Sequence, residues 1–315
     1  MVARLAKNEP GVALLAVLLG VALMTLIVVD FAMTSGLGYM SAANQANELR
    51  AGYLARSGVG VGLGLLAESA RVNHQVQTPA DTLNDPWAAP FPPMPLGGGT
   101  VSLSIVDEDR KLAINEMVTR TGGLNQVAIA KIQRLFTVLN VDTDLIQGII
   151  QWITPLSGGL GGSSADFYMG LKPPYQPRYG AMPTLGDLQM VQGFNQAIFN
   201  RVSPFLTTMP VTVVNANTAS PQVLAALEPE LMENQQLVQD IVAARAIRPF
   251  TQPTDIMNLP GLAAVAQRLS SDVDTHSTFF TINGTGTYAR ARKMIAATFY
   301  RENTGIGTLA AWHED

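Results

Sequence analysis

Three histidines, no cysteine and one tight run of acids are the residues of this chain whose types could do chemistry. His74, His276 and His313 stand far apart, and no H-E-x-x-H pair occurs. Without cysteine there is no thiol nucleophile, disulfide framework or Cys-based zinc site. Asp107-Glu108-Asp109 is the one place for paired-carboxylate chemistry, but Arg110 and Lys111 follow directly. Local ion pairing and solvation at a helix start account for the cluster more cheaply. Gly58, Gly60, Gly62 and Gly64 form G-V-G-V-G-L-G, which invites comparison with a phosphate-cradling loop. Such a loop follows a strand and offers Lys or Ser/Thr after its last glycine. Leu65 and Leu66 follow instead, so the glycines read as small residues for close helix packing. No G-x-S-x-G or P-loop motif occurs, and the chain is not read as an enzyme.

Asn258-Leu259-Pro260-Gly261-Leu262, with Phe250 and Ile256 upstream, has the pattern of a helix-hairpin-helix. Hairpins of that kind hold a nucleic-acid backbone through flanking cations. Here Arg245, Arg248 and Arg268 face Asp240, Asp255, Asp272 and Asp274, so a compact packing unit is expected and no nucleic-acid partner. Asn215 and Asn217 read as turn-forming and capping residues. The 315 residues carry a net charge of -4 and only 14% charged side chains, which argues against a basic binding surface and against disorder.

The elements that must carry these residues begin with an anchor. Val12 to Val29 is eighteen residues without a charge, closed by Asp30. At ~1.5 Å rise it reaches roughly 27 Å, enough to cross a thin bilayer. Arg4 and Lys7 before the span place the amino terminus in the cytoplasm. A secretory signal peptide cut near Thr34-Ser35-Gly36 is the bland alternative, although the run exceeds the usual apolar region and lacks a clear A-x-A site. Helical spacing continues to Ala70, giving one long helix. Residues 77–99, rich in Pro and Gly, read as a linker that ends it. Thr100 to Val106 alternates as a strand, and helices are expected over 124–153, 184–203, 220–227 and 234–247, with a loop at 155–183. Thr278 to Asn283, a Gly284-Thr285-Gly286 turn and Thr287 to Arg301 then read as a closing strand pair.

The short leader ending in Gly11, before Val12-Ala13-Leu14-Leu15, resembles a prepilin signal. Ala16 stands where most such proteins carry Glu, and its absence points to the type II secretion system protein K (GspK) family. Asp107 to Asn115 is similar to that family's D-E-x-x-K-L-x-I-N. Gln151-Trp152-Ile153, Ser164 to Tyr168, Pro173-Pro174-Tyr175, Leu188 to Gly193 and Val214 to Ala219 follow in family order. The resemblance implies an α+β, pilin-like fold: a long N-terminal α-helix packed on an antiparallel sheet, with a large inserted α-helical domain containing SAM-like, helix-hairpin-like units. It divides the chain into a leader (1–11), a transmembrane helix (12–33) and its periplasmic continuation (34–76). An α/β domain (77–108 and 275–302), the insertion (109–274) and a C-terminal tail (303–315) complete it. It also implies a minor pseudopilin at the tip of the periplasmic pseudopilus, starting its assembly and supporting export across the outer membrane. A prepilin peptidase would cut between Gly11 and Val12 and methylate the new terminus. Ala13, Leu14, Leu15, Ala16, Leu18, Leu19, Gly20 and Ala22 would pack against helices of other minor pseudopilins and of the major pseudopilin filament, in or above the bacterial inner membrane. Secreted cargo is a further implied contact. Calcium is the one cofactor the resemblance raises. Gln151 and Thr154 replace acids there, which leaves Asp166 and Asp187 as its candidate ligands. The rival readings are a membrane-anchored periplasmic binding module or enzyme with an uncleaved anchor, and a nucleic-acid handler using the hairpin.

Overall fold

The computed structural model describes residues 10–75, 80–156, 165–302 and 305–315. The leader call at 1–9 therefore lies outside the described residues. One helix, α1 (Pro10–Gln75), runs for 66 residues, about 100 Å at ~1.5 Å per residue. Pro10 suits its first turn, where the missing N–H is no loss. From Gly11 to Arg50 every side chain is exposed or half-exposed. Beyond that, Ala51, Ala55, Val59, Leu66 and Ala70 are buried at helical spacing, so one face of the second half meets the body of the protein.

That body is a five-stranded antiparallel sheet made from both ends of the chain. β1 (Met94–Leu96) and β2 (Gly99–Asp107) form its first hairpin. Pro95 is tolerated because β1 is an edge strand. The expected linker at 77–99 is thus partly structured: besides β1, a 3₁₀ turn at Pro86–Ala88 buries Trp87 edge-on against Phe280, 5.2 Å between centroids.

After β2 the chain leaves the sheet. β3 (Leu112–Ala113) is followed by α2 (Gln126–Val138), α3 (Leu145–Ile153) and α4 (Ala165–Met169). Next come α5 (Gln196–Val202), β4 (Leu206–Thr207), which pairs parallel with β3, and β5 (Val214–Asn215). Then follow α6 (Pro221–Leu227), α7 (Pro229–Glu233), α8 (Gln235–Ile247), α9 (Pro253–Met257) and α10 (Ala266–Leu269). β6 (Val273–Asp274) closes the block by pairing with β5. Polar caps fix the helix starts: Asn125, Asn195 and Ser220 accept from the backbone N–H groups of Ala128, Ile198 and Val223. Arg134 of α2 holds the last carbonyls of α6, Ala226 at 2.8 Å and Leu227 at 2.5 Å. The hairpin motif is the short α9–turn–α10 unit. Phe250, Ile256 and Leu262 bury into the insertion's core, and Gly261 takes a φ of 84° in the turn.

β7 (Phe279–Tyr288), β8 (Ala291–Glu302) and β9 (Gly305–Glu314) complete the sheet in the order β1-β2-β7-β8-β9. Two expectations fail here. Gly284-Thr285-Gly286 is no turn: Gly284 pairs with Ile295 and Gly286 with Lys293 inside the ladder, and the chain reverses at Ala289-Arg290. Nor is 303–315 a tail, because β9 pairs along β8 from Ile295↔Glu314 to Glu302↔Gly305. A register shift around Phe299 blurs β9's alternation, which hides it from a period-2 reading.

Two apolar cores result. One joins α1 (Ala55, Val59, Leu66) to Leu103, Ile282 and Ile295 of the sheet. The larger one fills the insertion with Ile132, Leu135, Phe136, Ile146, Ile149 and their neighbours.

Candidate functional site

Two features stand out for function: the uncovered half of α1, and the polar seam between the two cores.

On α1 every residue of Val12–Met40 is exposed, including Leu14, Leu15, Leu18 and Leu19 at 60–68%. Ala13, Ala16, Gly20 and Ala22 leave small steps in this apolar surface, and a Cβ at Gly20 would meet nothing within 4 Å. An uncovered apolar stretch of this length needs lipid or other helices around it.

The seam begins with the acid cluster, which the structure treats differently from the expectation of a solvated helix start. Asp107, Glu108 and Asp109 are all buried. Only Glu108 finds the local cation, with Lys111 Nζ 3.0 Å away. Asp107 accepts from Thr218 Oγ1 at 2.5 Å, Ser277 Oγ at 2.7 Å and the Asp109 N–H at 2.8 Å. Asp109 accepts from the N–H of Phe279 at 2.7 Å and of Thr278 at 3.1 Å, and from Thr278 Oγ1 at 2.8 Å. Burial pushes both carboxyl groups well above the usual carboxylate range, and the nearness of the two acids holds Asp109 higher still.

Asn215 is the hub on the insertion side. Its amide donates to the Asp81 carbonyl at 3.0 Å and to Ser277 Oγ at 2.7 Å, while its Oδ1 accepts from the Asn217 N–H at 2.9 Å. Asn217 in turn brackets Phe250, with one bond to its N–H and one to its carbonyl, each 2.9 Å. From the sheet side Arg301 of β8 pairs with the Asp81 carboxylate, donates to the Ser277 carbonyl at 2.9 Å and lies over the Phe280 ring. Hydroxyls, amides and backbone N–H groups thus fill Asp107 and Asp109, while Asp81 Oδ1 and Arg301 Nη1 are buried without a hydrogen-bond partner. The arrangement joins the sheet to the insertion.

Among the described residues the calcium candidates Asp166 and Asp187 do not assemble a donor set. Asp187 lies against Arg178 and Thr184, each at 3.5 Å, and Asp166 sits exposed in the first turn of α4. Among the described residues no three acidic or histidine side chains are grouped to hold a metal, and 157–164 lie outside them.

Two family models, both described as type II secretion system (T2SS) protein K, match residues 110–211 and 214–276, together more than half of the chain. The chain belongs to the type II secretion system protein K family. Protein K of Pseudomonas aeruginosa is 26% identical over 312 residues, covering 95% of this chain and 91% of that one. Protein K of Pectobacterium carotovorum subsp. carotovorum is 23% identical over 224 residues, covering 67% and 66%. The fold is similar to a chain in the crystal structure of the GspK–GspI–GspJ complex from the enterotoxigenic Escherichia coli type 2 secretion system. That match has a TM-score of 0.72 at 16% identity over 87% of this chain and 99% of that one. The long helix, antiparallel sheet and helical insertion are the pilin-like fold with its outsized α-domain. As a protein K, the chain is a minor pseudopilin of a type II secretion system, a structural component.

The protein K motifs now acquire physical jobs. Asp107 to Asn115 and Val214 to Ala219, a hundred residues apart, meet in the seam. Asn115 also clips the Met182 backbone and the Thr208 carbonyl at 2.8–3.0 Å. Trp152, Tyr168 and Tyr175 converge as an aromatic cluster with centroids 5.4–6.2 Å apart, and Tyr168 Oη accepts from the Gln192 N–H. Asp81, Ser277 and Arg301 were missed in the sequence. Nothing local marks them, since each looks like an ordinary loop or strand residue until the chain ends are brought together.

Proposed function

We propose that this minor pseudopilin caps the tip of the pseudopilus and helps to start its assembly. Cleavage after Gly11 would free Val12 and leave an apolar helix to anchor the chain in the bacterial inner membrane, with its bulk in the periplasm. The observation that carries this reading is the division of labour along α1. Residues 12–40 are wholly exposed, with Val12–Val29 free of charge, whereas the body sits on the far half of the same helix. Ala13, Leu14, Leu15, Ala16, Leu18, Leu19 and Gly20 then form the packing surface for neighbouring pseudopilin helices. Ala16 supports the terminal position, because a subunit with no neighbour above it has no use for a buried carboxylate there. The solved neighbour comes from a complex of GspK with GspI and GspJ, which supports other minor pseudopilins as the first partners. The insertion would sit above them as bulk that stops further addition, where it can touch secreted cargo.

The amino-terminal mass of protein recovered from membranes tests this reading, with and without a co-expressed prepilin peptidase. A peptidase-dependent start at Val12, methylated, is the expected result. A Met1 start under both conditions would replace this reading with that of an anchored periplasmic module. A start near residue 35 would mean ordinary secretion.

A further inference from the structure

The polar seam uses all but two of the buried atoms of its central ion pair. Asp81 and Arg301 meet through Oδ2 and Nη2, yet Asp81 Oδ1 and Arg301 Nη1 have no hydrogen-bond partner. Asp81 is only 1% exposed, so bulk water does not serve it. A buried donor or acceptor is costly until some group supplies the missing bond. Both side chains line a cavity of about 490 Å³ where the three parts of the protein meet. The long helix contributes Ala70 to its wall, the sheet Arg301, and the insertion Val211, Val213 and Asp274.

The chemistry of the wall selects the ligand. Asp109 already accepts three bonds from Thr278 and Phe279. Asp274 Oδ1 accepts from the Thr275 N–H at 2.6 Å and faces His276 Nδ1 at 3.3 Å. A cation entering here would suit Asp81 Oδ1 but meet the Arg301 guanidinium, and an anion would meet the reverse. Among the described residues no three acidic or histidine side chains are grouped to hold a metal. An uncharged group with one donor and one acceptor suits both open atoms. A water has both, but the cavity is more than tenfold larger than the ~30 Å³ share of one water. Ala70, Val211 and Val213 also make part of the wall apolar. An amide on a short carbon stem matches that mixture, with N–H and C=O at one end and methylenes behind them.

We propose that this cavity is a docking site for an uncharged amide group of another polypeptide, whose N–H donates to Asp81 Oδ1 and whose carbonyl accepts from Arg301 Nη1. The amide comes from an Asn or Gln side chain or from the main chain. Because α1, the sheet and the insertion all line the cavity, a docked chain touches the joint that sets their relative orientation. The site does not depend on the tip reading above.

The full-length chain in a maltoside detergent is titrated calorimetrically at fixed ionic strength with acetylated, amidated tripeptides Ala-X-Ala, where X is Gln, Leu, Glu or Lys. Saturable binding of the Gln peptide is expected, with the Glu and Lys peptides weaker by about tenfold or more, as the loss of a charge-assisted bond requires. A Leu peptide that binds as well as the Gln peptide assigns the contact to the main-chain amide, and one that binds more weakly assigns it to the side chain. Thr212 lines the cavity and is exposed, so Thr212→Trp should plug it and abolish binding. Ile247→Trp, at a position 88% exposed at the end of α8, should bind as the parent does. Should Thr212→Trp lower the unfolding midpoint, Arg301→Lys decides. That variant keeps a cation for Asp81 and removes Nη1, so binding should fall about tenfold. Absence of saturable binding by both the Gln and Leu peptides overturns the proposal and leaves the cavity to solvent. Charged peptides that bind as tightly as the Gln peptide, or undiminished binding in the deciding variant, overturn it too.

Discussion

The long helix and the inserted domain are both fastened to the same sheet, by opposite means. Along α1 the fastening is apolar and depends on how closely two backbones approach. A Cβ at Gly284 would overlap the Ala55 carbonyl oxygen and one at Gly286 the Ala51 carbonyl oxygen, while Gly58 and Gly62 of the helix face Val101 and Ile282. At the insertion the fastening is a buried mesh of directional bonds around Asp81, Asp107, Asp109, Asn215 and Arg301. An apolar seam tolerates small slides at little cost. A polar seam in a low-dielectric setting holds one orientation or loses whole hydrogen bonds. The second kind holds the insertion in one orientation on the sheet and so relative to α1.

Breaking the polar seam gives the largest expected effect. Arg301→Met leaves the Asp81 carboxylate, 1% exposed, without its cation. Removing one partner of a buried pair costs about 3–5 kcal/mol. Chemical unfolding of the full-length chain in detergent should show that loss, and Asp81→Asn in the same chain should restore part of it. A loss under about 1 kcal/mol, the range of an exposed pair, would mean the pair is solvated and the seam is not held this way.

The apolar seam should break less severely. Gly286→Ala forces the strand and α1 apart, because the obstacle is the Ala51 backbone and no side chain can step aside. Overpacking of this sort costs about 1–3 kcal/mol. An unchanged unfolding midpoint would show that helix and sheet do not approach as closely as the glycines imply.

Acidity separates the seams, since it is the polar one that buries carboxyl groups with raised pKa. Asp107 and Asp109 keep their protons to higher pH in the folded protein than in the unfolded chain, mainly through burial. Between the ordinary carboxylate value of ~4 and those raised values the folded state binds more protons. Their contribution is therefore complete below the unfolded value and is lost as pH rises through the folded ones. His276, also raised by Asp274, acts in the same direction. Stability measured from pH 5 to 8 should fall with rising pH, and Asp109→Asn should flatten the slope by removing one titrating group and the charge next to Asp107. An equal slope in both proteins would assign the dependence elsewhere.

The difference between the seams also explains what the sequence disclosed. The anchor, the long helix, β2 and most helices of the insertion are written in local periodicity, so Val12–Val29 and Thr100–Val106 were readable. The protein K likeness rested on short motifs whose order carried the signal, and the structure brings two of them into contact, Asn215 donating to Asp107 at 3.4 Å. β1 and β9 were not readable, one broken by prolines and the other by a register shift. Gly284 and Gly286 were misread because a glycine pair in a strand signals a turn or a close approach equally well. Which it is depends on a helix more than two hundred residues away. The acid cluster suffered the same ambiguity: Lys111 explains Glu108, but the partners of Asp107 and Asp109 are almost all long-range.

The smallest expected effect is the sharpest test of which face of α1 meets the sheet. Gly60 and Gly62 sit two residues apart in the same glycine run, on opposite sides of the helix. A Cβ at Gly60 would meet nothing within 4 Å, whereas one at Gly62 would come within 2.6 Å of the Ile282 side chain. Gly60→Ala should therefore stabilise the chain by roughly 0.5–1 kcal/mol, the ordinary gain of alanine over glycine in an exposed helix. Gly62→Ala receives the same helix gain but must displace a branched side chain in the buried layer, which returns it to zero or below. Equal gains at both positions would mean that neither side is packed and that the glycines serve some other contact. If the gain appeared at Gly62 and the loss at Gly60, α1 would be rotated by about half a turn, and the apolar seam would have to be redrawn around Val61 and Gly64.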